Sequence, residues 1–85
     1  MTGQSIIELD VHGLNVEQAI RKIEGVIASA DGGVYRVKVI HGYNRGTNIR
    51  QAVYREFGNG LDRRVSRVIP GENQGITEIV LREYW

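Results

Sequence analysis

Asp10 and His12 stand two positions apart in Leu9-Asp10-Val11-His12-Gly13-Leu14-Asn15. In an extended chain residues at that spacing share a face and lie side by side. A carboxylate next to an imidazole fixes which ring nitrogen carries the proton and leaves the other to give or take one, as general acid–base chemistry requires. The same two side chains can hold a divalent metal such as Mg or Mn, although two donors make a thin site. By spacing alone, the plainer reading is an ion pair on the surface near a strand end.

A second stretch, Val37-Lys38-Val39-Ile40-His41-Gly42-Tyr43-Asn44-Arg45-Gly46-Thr47-Asn48-Ile49-Arg50, carries donors rather than acids. It reads as a strand entering a glycine-punctuated turn and then a helix, a geometry that aims backbone N–H groups and the positive helix end at one spot. Gly42 and Gly46 free the backbone for close approach of a phosphate, and Asn44 tolerates positive φ. Arg45 and Arg50 bring charge to the turn and to the first turn of the helix. Tyr43 can stack on a base or simply cover the turn. His41 is in line with Val37 and Val39, which points it inward and gives it a structural role before a catalytic one. The glycine spacing is neither that of a P-loop, which ends in Gly-Lys-Ser/Thr, nor that of a dinucleotide fingerprint.

These two turns need a scaffold that brings them together, and the hydropathy pattern supplies one. Ile6 to His12 alternates, with Ile7, Leu9 and Val11 on one side and Glu8, Asp10 and His12 on the other. Asn15 with Gln18 three residues on is a capping-box pair. Val16, Ala19, Ile20, Ile23, Val26, Ile27 and Ala30 then form a helical apolar stripe, and Asp31-Gly32-Gly33 offers a glycine for a left-handed C-cap. A second strand runs from about Val34 to His41, with Arg36, Lys38 and Ile40 opposite the apolar set. Strand, helix and strand in that order imply parallel pairing, which sets His12 and His41 at one sheet edge, where ligands of open α/β sheets gather.

A second helix is expected from Asn48 to Phe57, with Thr47 or Asn48 as N-cap and Gly58-Asn59-Gly60 as its stop. Val65 to Ile69 reads as a third strand broken by Pro70, and Pro70 to Gly75 as a loop. Ile76 to Glu83 reads as a fourth strand with Thr77, Ile79 and Leu81 inward. The fold class is therefore α/β: a two-layer βαβαββ sandwich with a four-stranded mixed sheet and two helices on one face. Residues 1–5 read as a flexible tail, and residues 6–85 as a single domain.

Eighty-five residues suffice for one modest core. The absence of cysteine excludes a disulfide framework. No leader pattern or membrane-length apolar run is visible, so a cytoplasmic monomer that leaves membranes alone is the expectation. Net charge is +1, which does not by itself mark a nucleic-acid binder. Yet nine of the eleven cations are Arg, the side chain whose fork matches phosphate, and Arg36, Lys38, Arg45 and Arg50 crowd the middle of the chain.

Leu9-Asp10-Val11-His12-Gly13-Leu14 before an amphipathic helix, followed by Val39-Ile40-His41-Gly42-Tyr43-Asn44-Arg45-Gly46-Thr47, resembles the Smr (small MutS-related) domain. Pro70-Gly71-Glu72-Asn73-Gln74-Gly75-Ile76-Thr77 is similar to that family's glycine-rich loop before its last strand. The resemblance spans about Ile6 to Leu81. It implies a fold like the C-terminal domain of translation initiation factor three and an endonuclease that cleaves RNA or nicks DNA. Asp10 and His12 match the family's Leu-Asp-x-His motif and would act as the acid–base pair. His41 to Asn44 match its Thr/His-Gly-x-Gly motif, with Asn44 in place of the second glycine. Phosphate and nucleic acid would be held by Arg36, Lys38, His41, Gly42, Tyr43, Asn44, Arg45, Gly46 and Arg50. The alternatives are an RNA- or DNA-binding module without catalysis, recruited for example to ribosomes, and a protein-interaction domain that docks through Tyr84-Trp85.

Overall fold

The computed structural model describes residues 5–30, 32–42 and 48–81. Six elements follow one another: β1 (Ser5–Asp10), α1 (Val16–Ser29), β2 (Val34–Ile40), α2 (Asn48–Phe57), β3 (Arg67–Pro70) and β4 (Ile76–Val80). They form a four-stranded sheet in the order β1-β2-β4-β3. β1 and β2 are parallel, while β4 is antiparallel to both β2 and β3. The βαβαββ order and the mixed sheet are as the pattern predicts.

Local chemistry explains the element ends. At the start of α1 the Asn15 side chain accepts the Gln18 N–H at 2.8 Å, and the Gln18 side chain accepts the Asn15 N–H at 3.1 Å. The capping box is thus complete. Such a cap is worth about 0.5–2 kcal/mol. The other end differs from expectation. The C-cap is Ala30 in an extended conformation, its N–H bonded to the Ile27 carbonyl, and not a left-handed glycine. Gly33 serves the sheet instead, its carbonyl accepting the Ser5 N–H at 2.8 Å. Ser5 thereby opens β1, while the rest of the expected tail, residues 1–4, lies outside the described residues, as does Thr47.

α2 has the predicted bounds and closes through a Gly58 N–H to Tyr54 carbonyl bond of 2.8 Å. β3 starts two residues later than predicted and retains Pro70 as its last residue. Antiparallel bonds alternate between inward and outward groups, and the Gly71 N–H is the inward one, bonded to Ile76. The donor that Pro70 lacks therefore falls on the free edge, where proline is tolerated. β4 ends at Val80, with the Leu81 N–H still bonded to Tyr35; Arg82 and Glu83 are outside the described residues.

The core lies between the helices and one sheet face. Leu9, Val11, Val37, Val39 and Ile79 from the sheet meet Ala19, Ile23 and Ile27 of α1 and Val53 and Phe57 of α2. Leu81 packs against this cluster partly buried, and Ile49 does the same. Arg64 ties the α2–β3 connection to α1, at 2.8 Å from both Glu24 and Asp62, and holds the Asp62 carboxyl below its ordinary range.

The opposite face carries charge, but the charges are matched across strands. Insertion of β4 next to β2 sets Glu78 opposite Lys38 and Val80 opposite Arg36. Arg36 bonds to Glu78 at 2.6 Å, and Lys38 bonds to Glu72 with Glu8 3.8 Å away. Val80 is buried on this side.

Candidate acid–base site at the sheet edge

Parallel pairing of β1 with β2 carries the chain from Asp10, opposite Ile40, into two adjacent turns. The Val11 N–H bonds to the Ile40 carbonyl at 2.9 Å and extends the pairing one residue past β1. Gly13 (φ +82°) and Gly42 (φ +75°) then take the left-handed conformation that lets both strands turn sharply. A Cβ on Gly42 would be 3.7 Å from the His12 Cβ, so the second turn abuts the first.

At this edge Asp10 holds His12 twice. Its Oδ1 accepts the His12 backbone N–H at 3.0 Å and lies 2.5 Å from the ring Nδ1. The carboxylate can only accept, so Nδ1 carries the proton and Nε2 is the basic nitrogen of the neutral ring. The His12 side chain is 69% exposed, which leaves Nε2 open to a ligand. The two bonds from His12 hold the Asp10 carboxyl below its ordinary value, with a small further contribution from Lys22.

His41 is the opposite case. It is buried, with Nδ1 2.7 Å from the Gly42 carbonyl and Nε2 2.7 Å from the Thr77 hydroxyl. The carbonyl accepts, so Nδ1 is the donor and Thr77 donates to Nε2. Both ring nitrogens are spent inside the protein. His41 joins β2 to β4 and fixes the Gly42 turn.

The Gly75 carbonyl accepts both the His41 N–H (2.9 Å) and the Gly42 N–H (3.0 Å). The Gly42 amide is therefore committed within the fold, and any phosphate contact from this turn must come from elsewhere. Tyr43, Asn44, Arg45 and Gly46 lie outside the described residues.

Among the predicted site residues, Asp10, His12, His41 and Gly42 come together. Arg36 and Lys38 do not join them: they project from the open sheet face onto Glu78 and Glu72. Arg50 is at the start of α2, lining a cleft between that helix and the β3–β4 turn. Thr77 is part of the cleft and of the His41 bond, so the cleft and the Asp10–His12 edge adjoin. Sequence reasoning missed Thr77 and the Gly75 carbonyl. Thr77 showed only as one more inward position of an alternating strand, and a backbone carbonyl leaves no mark on residue type.

The family model for the Smr domain matches residues 9–83, which include every element of this site. The chain belongs to the Smr domain family. This Smr domain is also similar in fold to the Smr domain of MutS2 from Thermus thermophilus, seen in a crystal structure, with a TM-score of 0.78 and 24% identity over 91% of this chain and 99% of that one. Comparison with curated proteins gives no match. Among its described residues the Smr domain has no helix long and apolar enough to cross a membrane and no group of three or more His, Cys, Asp or Glu able to hold a metal ion.

Proposed function

We propose that this Smr domain is an endonuclease that cleaves RNA, or nicks DNA, at the edge where Asp10 and His12 meet Gly42. The observation that carries this reading is the Asp10–His12 pair: one nitrogen of an exposed imidazole is pinned by a carboxylate, and the other is left basic and accessible.

RNA suits these residues best. Its 2′-hydroxyl supplies the nucleophile, so the protein needs only a base and a means of holding phosphate. His12 Nε2 takes the 2′-hydroxyl proton as that oxygen attacks phosphorus. The bond to the 5′-oxygen breaks and that oxygen leaves with a proton from water, giving a 2′,3′-cyclic phosphate and a 5′-hydroxyl, and the hydroxide so formed takes back the proton held by the His12 imidazolium. Asp10 stabilises the imidazolium so formed. Arg50, with Arg45 and the turn through Gly46, is the source of phosphate contacts.

DNA has no internal nucleophile and calls for an activated water, commonly on a metal. The donors fit a metal poorly. Asp10 Oδ1 already accepts two bonds from His12, and no third carboxylate or imidazole joins them among the described residues.

The test is cleavage of end-labelled RNA and duplex DNA, with and without EDTA, by the wild type and His12→Ala. RNA cleavage that survives EDTA and falls about 10²–10⁴-fold in the variant is expected. Equal rates in the two proteins would remove His12 from the mechanism. A second reading, binding without cleavage, draws support from the committed Gly42 amide and the matched charges of Arg36 and Lys38, which leave few groups to grip a scissile phosphate. It predicts salt-sensitive RNA binding with no product under any of these conditions.

A further inference from the structure

The cleft between α2 and the β3–β4 turn, of about 680 Å³, is not needed for proton transfer at His12. Its composition is nevertheless particular. Arg50 and Tyr54 are four residues apart on α2 and so share one helix face, and both line the cleft. Across from them are Pro70, Gly71 and Gln74 of the turn, with Thr77 nearby.

Three observations bear on the occupant. First, five other cations are matched, Arg21 with Glu17, Arg36 with Glu78, Lys38 with Glu72, Arg55 with Glu56 and Arg64 with Glu24, whereas Lys22 and Arg63, which have no such ion pair among the described residues, are exposed to water. Arg50 has no carboxylate within ion-pair reach among the described residues, although it is half-buried at the cleft wall. Second, Tyr54 is one of three large exposed hydrophobics among the described residues, at 37% exposure, and it lines the cleft. Third, the turn opposite is built rigidly. Asn73 accepts the Gly75 N–H at 2.8 Å on its side chain and the Ile76 N–H at 3.2 Å on its carbonyl, which orders the backbone that carries the exposed Gln74 at the cleft. An unmatched guanidinium, a ring and an exposed amide across a cleft match the three parts of a nucleotide: phosphate, base face and base edge.

We propose that this cleft is a nucleotide subsite for single-stranded RNA, taking the base that flanks the phosphate presented to His12. Arg50 holds the phosphate, Tyr54 stacks on the base and Gln74 reads its edge. The subsite rests on the endonuclease reading for its place in a reaction, but not for its existence as a binding site. A duplex base is already stacked on both sides, so the subsite selects unpaired nucleotides. Its link to the chemical edge runs through His41: Thr77 at the cleft bonds to the His41 ring, and the next residue, Gly42, lies where an added Cβ would come within 3.7 Å of the His12 Cβ.

The experiment is an NMR titration of the 15N-labelled protein with 5′-AMP, adenosine and inorganic phosphate, followed by binding of a single-stranded RNA decamer to wild type, Tyr54→Leu and Arg50→Gln. AMP should shift Gln51, Tyr54, Gly71, Gln74 and Thr77 amides. Tyr54→Leu should weaken the decamer about 5- to 150-fold, the equivalent of one lost base–aromatic stack. Phosphate shifting Arg50 as strongly as AMP, with adenosine inert, would overturn the base contact. RNA cleavage by the wild type with a silent cleft and an undisturbed Tyr54→Leu affinity would overturn the subsite and leave the endonuclease reading standing. AMP and RNA seated in the cleft with no cleavage would sustain the subsite and reject the nuclease.

Discussion

Replacing Thr77 by valine separates the two histidines by their energetics. The change keeps the branched shape and deletes only the hydroxyl that donates to His41 Nε2 over 2.7 Å. Thr77 is fully buried and His41 is 8% exposed, so water cannot take the place of the lost donor. Leaving a buried acceptor unpaired costs about 1–3 kcal/mol. The methyl that replaces the hydroxyl recovers part of this, since a buried methyl is favoured over a buried hydroxyl. A net loss of about 1–2 kcal/mol is expected, which for a domain of this size lowers Tm by roughly 4–16 °C. Urea unfolding at pH 7 measures it, with an unchanged m-value as the sign that only stability has moved. Thr77→Ser retains the hydroxyl and serves as the control for the bond, while a His41→Leu/Thr77→Val cycle isolates the pair. If Thr77→Val is as stable as the wild type, or if the cycle gives no coupling, the hydroxyl–imidazole bond is not what holds His41, and its assignment as a structural residue fails. Under the proposed cleavage mechanism the variant should also retain the wild-type pH dependence at temperatures well below its Tm, because both His41 ring nitrogens are bonded inside the protein.

The Asp10 carboxyl should titrate below the usual aspartate value of 3.8 when followed by carbon NMR, and return towards it in His12→Ala. Because the folded-state value is the depressed one, the stabilisation from this pair is present at neutral pH and is lost as pH falls through the lowered value. Under the proposed mechanism, in which Asp10 orients the His12 ring, Asp10→Asn should slow RNA cleavage by at least about tenfold while leaving urea stability nearly unchanged, since the pair is exposed. Gly71→Ala should destabilise by about 1–3 kcal/mol, because the added Cβ would be 2.5 Å from Ile76 Cγ2 and 2.8 Å from the Ile76 carbonyl oxygen; an unshifted thermal melt would show that the turn has slack. Charge reversal should weaken RNA binding and reduce its salt slope by about one at Arg50 and much less at Arg36, where Glu78 already neutralises the guanidinium; equal losses in a fluorescence binding titration would refute the distinction.

Much of the architecture was legible because it is written locally. The Asn15–Gln18 cap, the stripe from Ala19 to Ile27 and the alternation of Leu9 and Val11 against Asp10 and His12 each depend on neighbours within a few residues. The parallel pairing that joins the His12 and His41 turns followed from the order strand, helix, strand. What was not legible depends on sheet order. Nothing in the alternation of Ile76 to Val80 says that this strand lies beside β2 and not only beside β3, yet that placement supplies Glu78 to Arg36 and Thr77 to His41. Arg36 and Lys38 looked like free cations because their partners are more than thirty residues away. The left-handed cap expected at Gly32 or Gly33 failed for a related reason, since Gly33 is drawn into pairing with Ser5 across the sheet.

The Gly75 carbonyl, which receives both the His41 and the Gly42 amides, has a kinetic consequence. Two protons on the β2 side depend on one oxygen on the β4 side, so neither can exchange with solvent until the Asn73–Gly75 turn lifts away. The two amides should therefore exchange in step, at the rate at which that turn opens. A ligand seated between α2 and the turn would slow both together, giving a readout at the chemical edge of events in the neighbouring cleft.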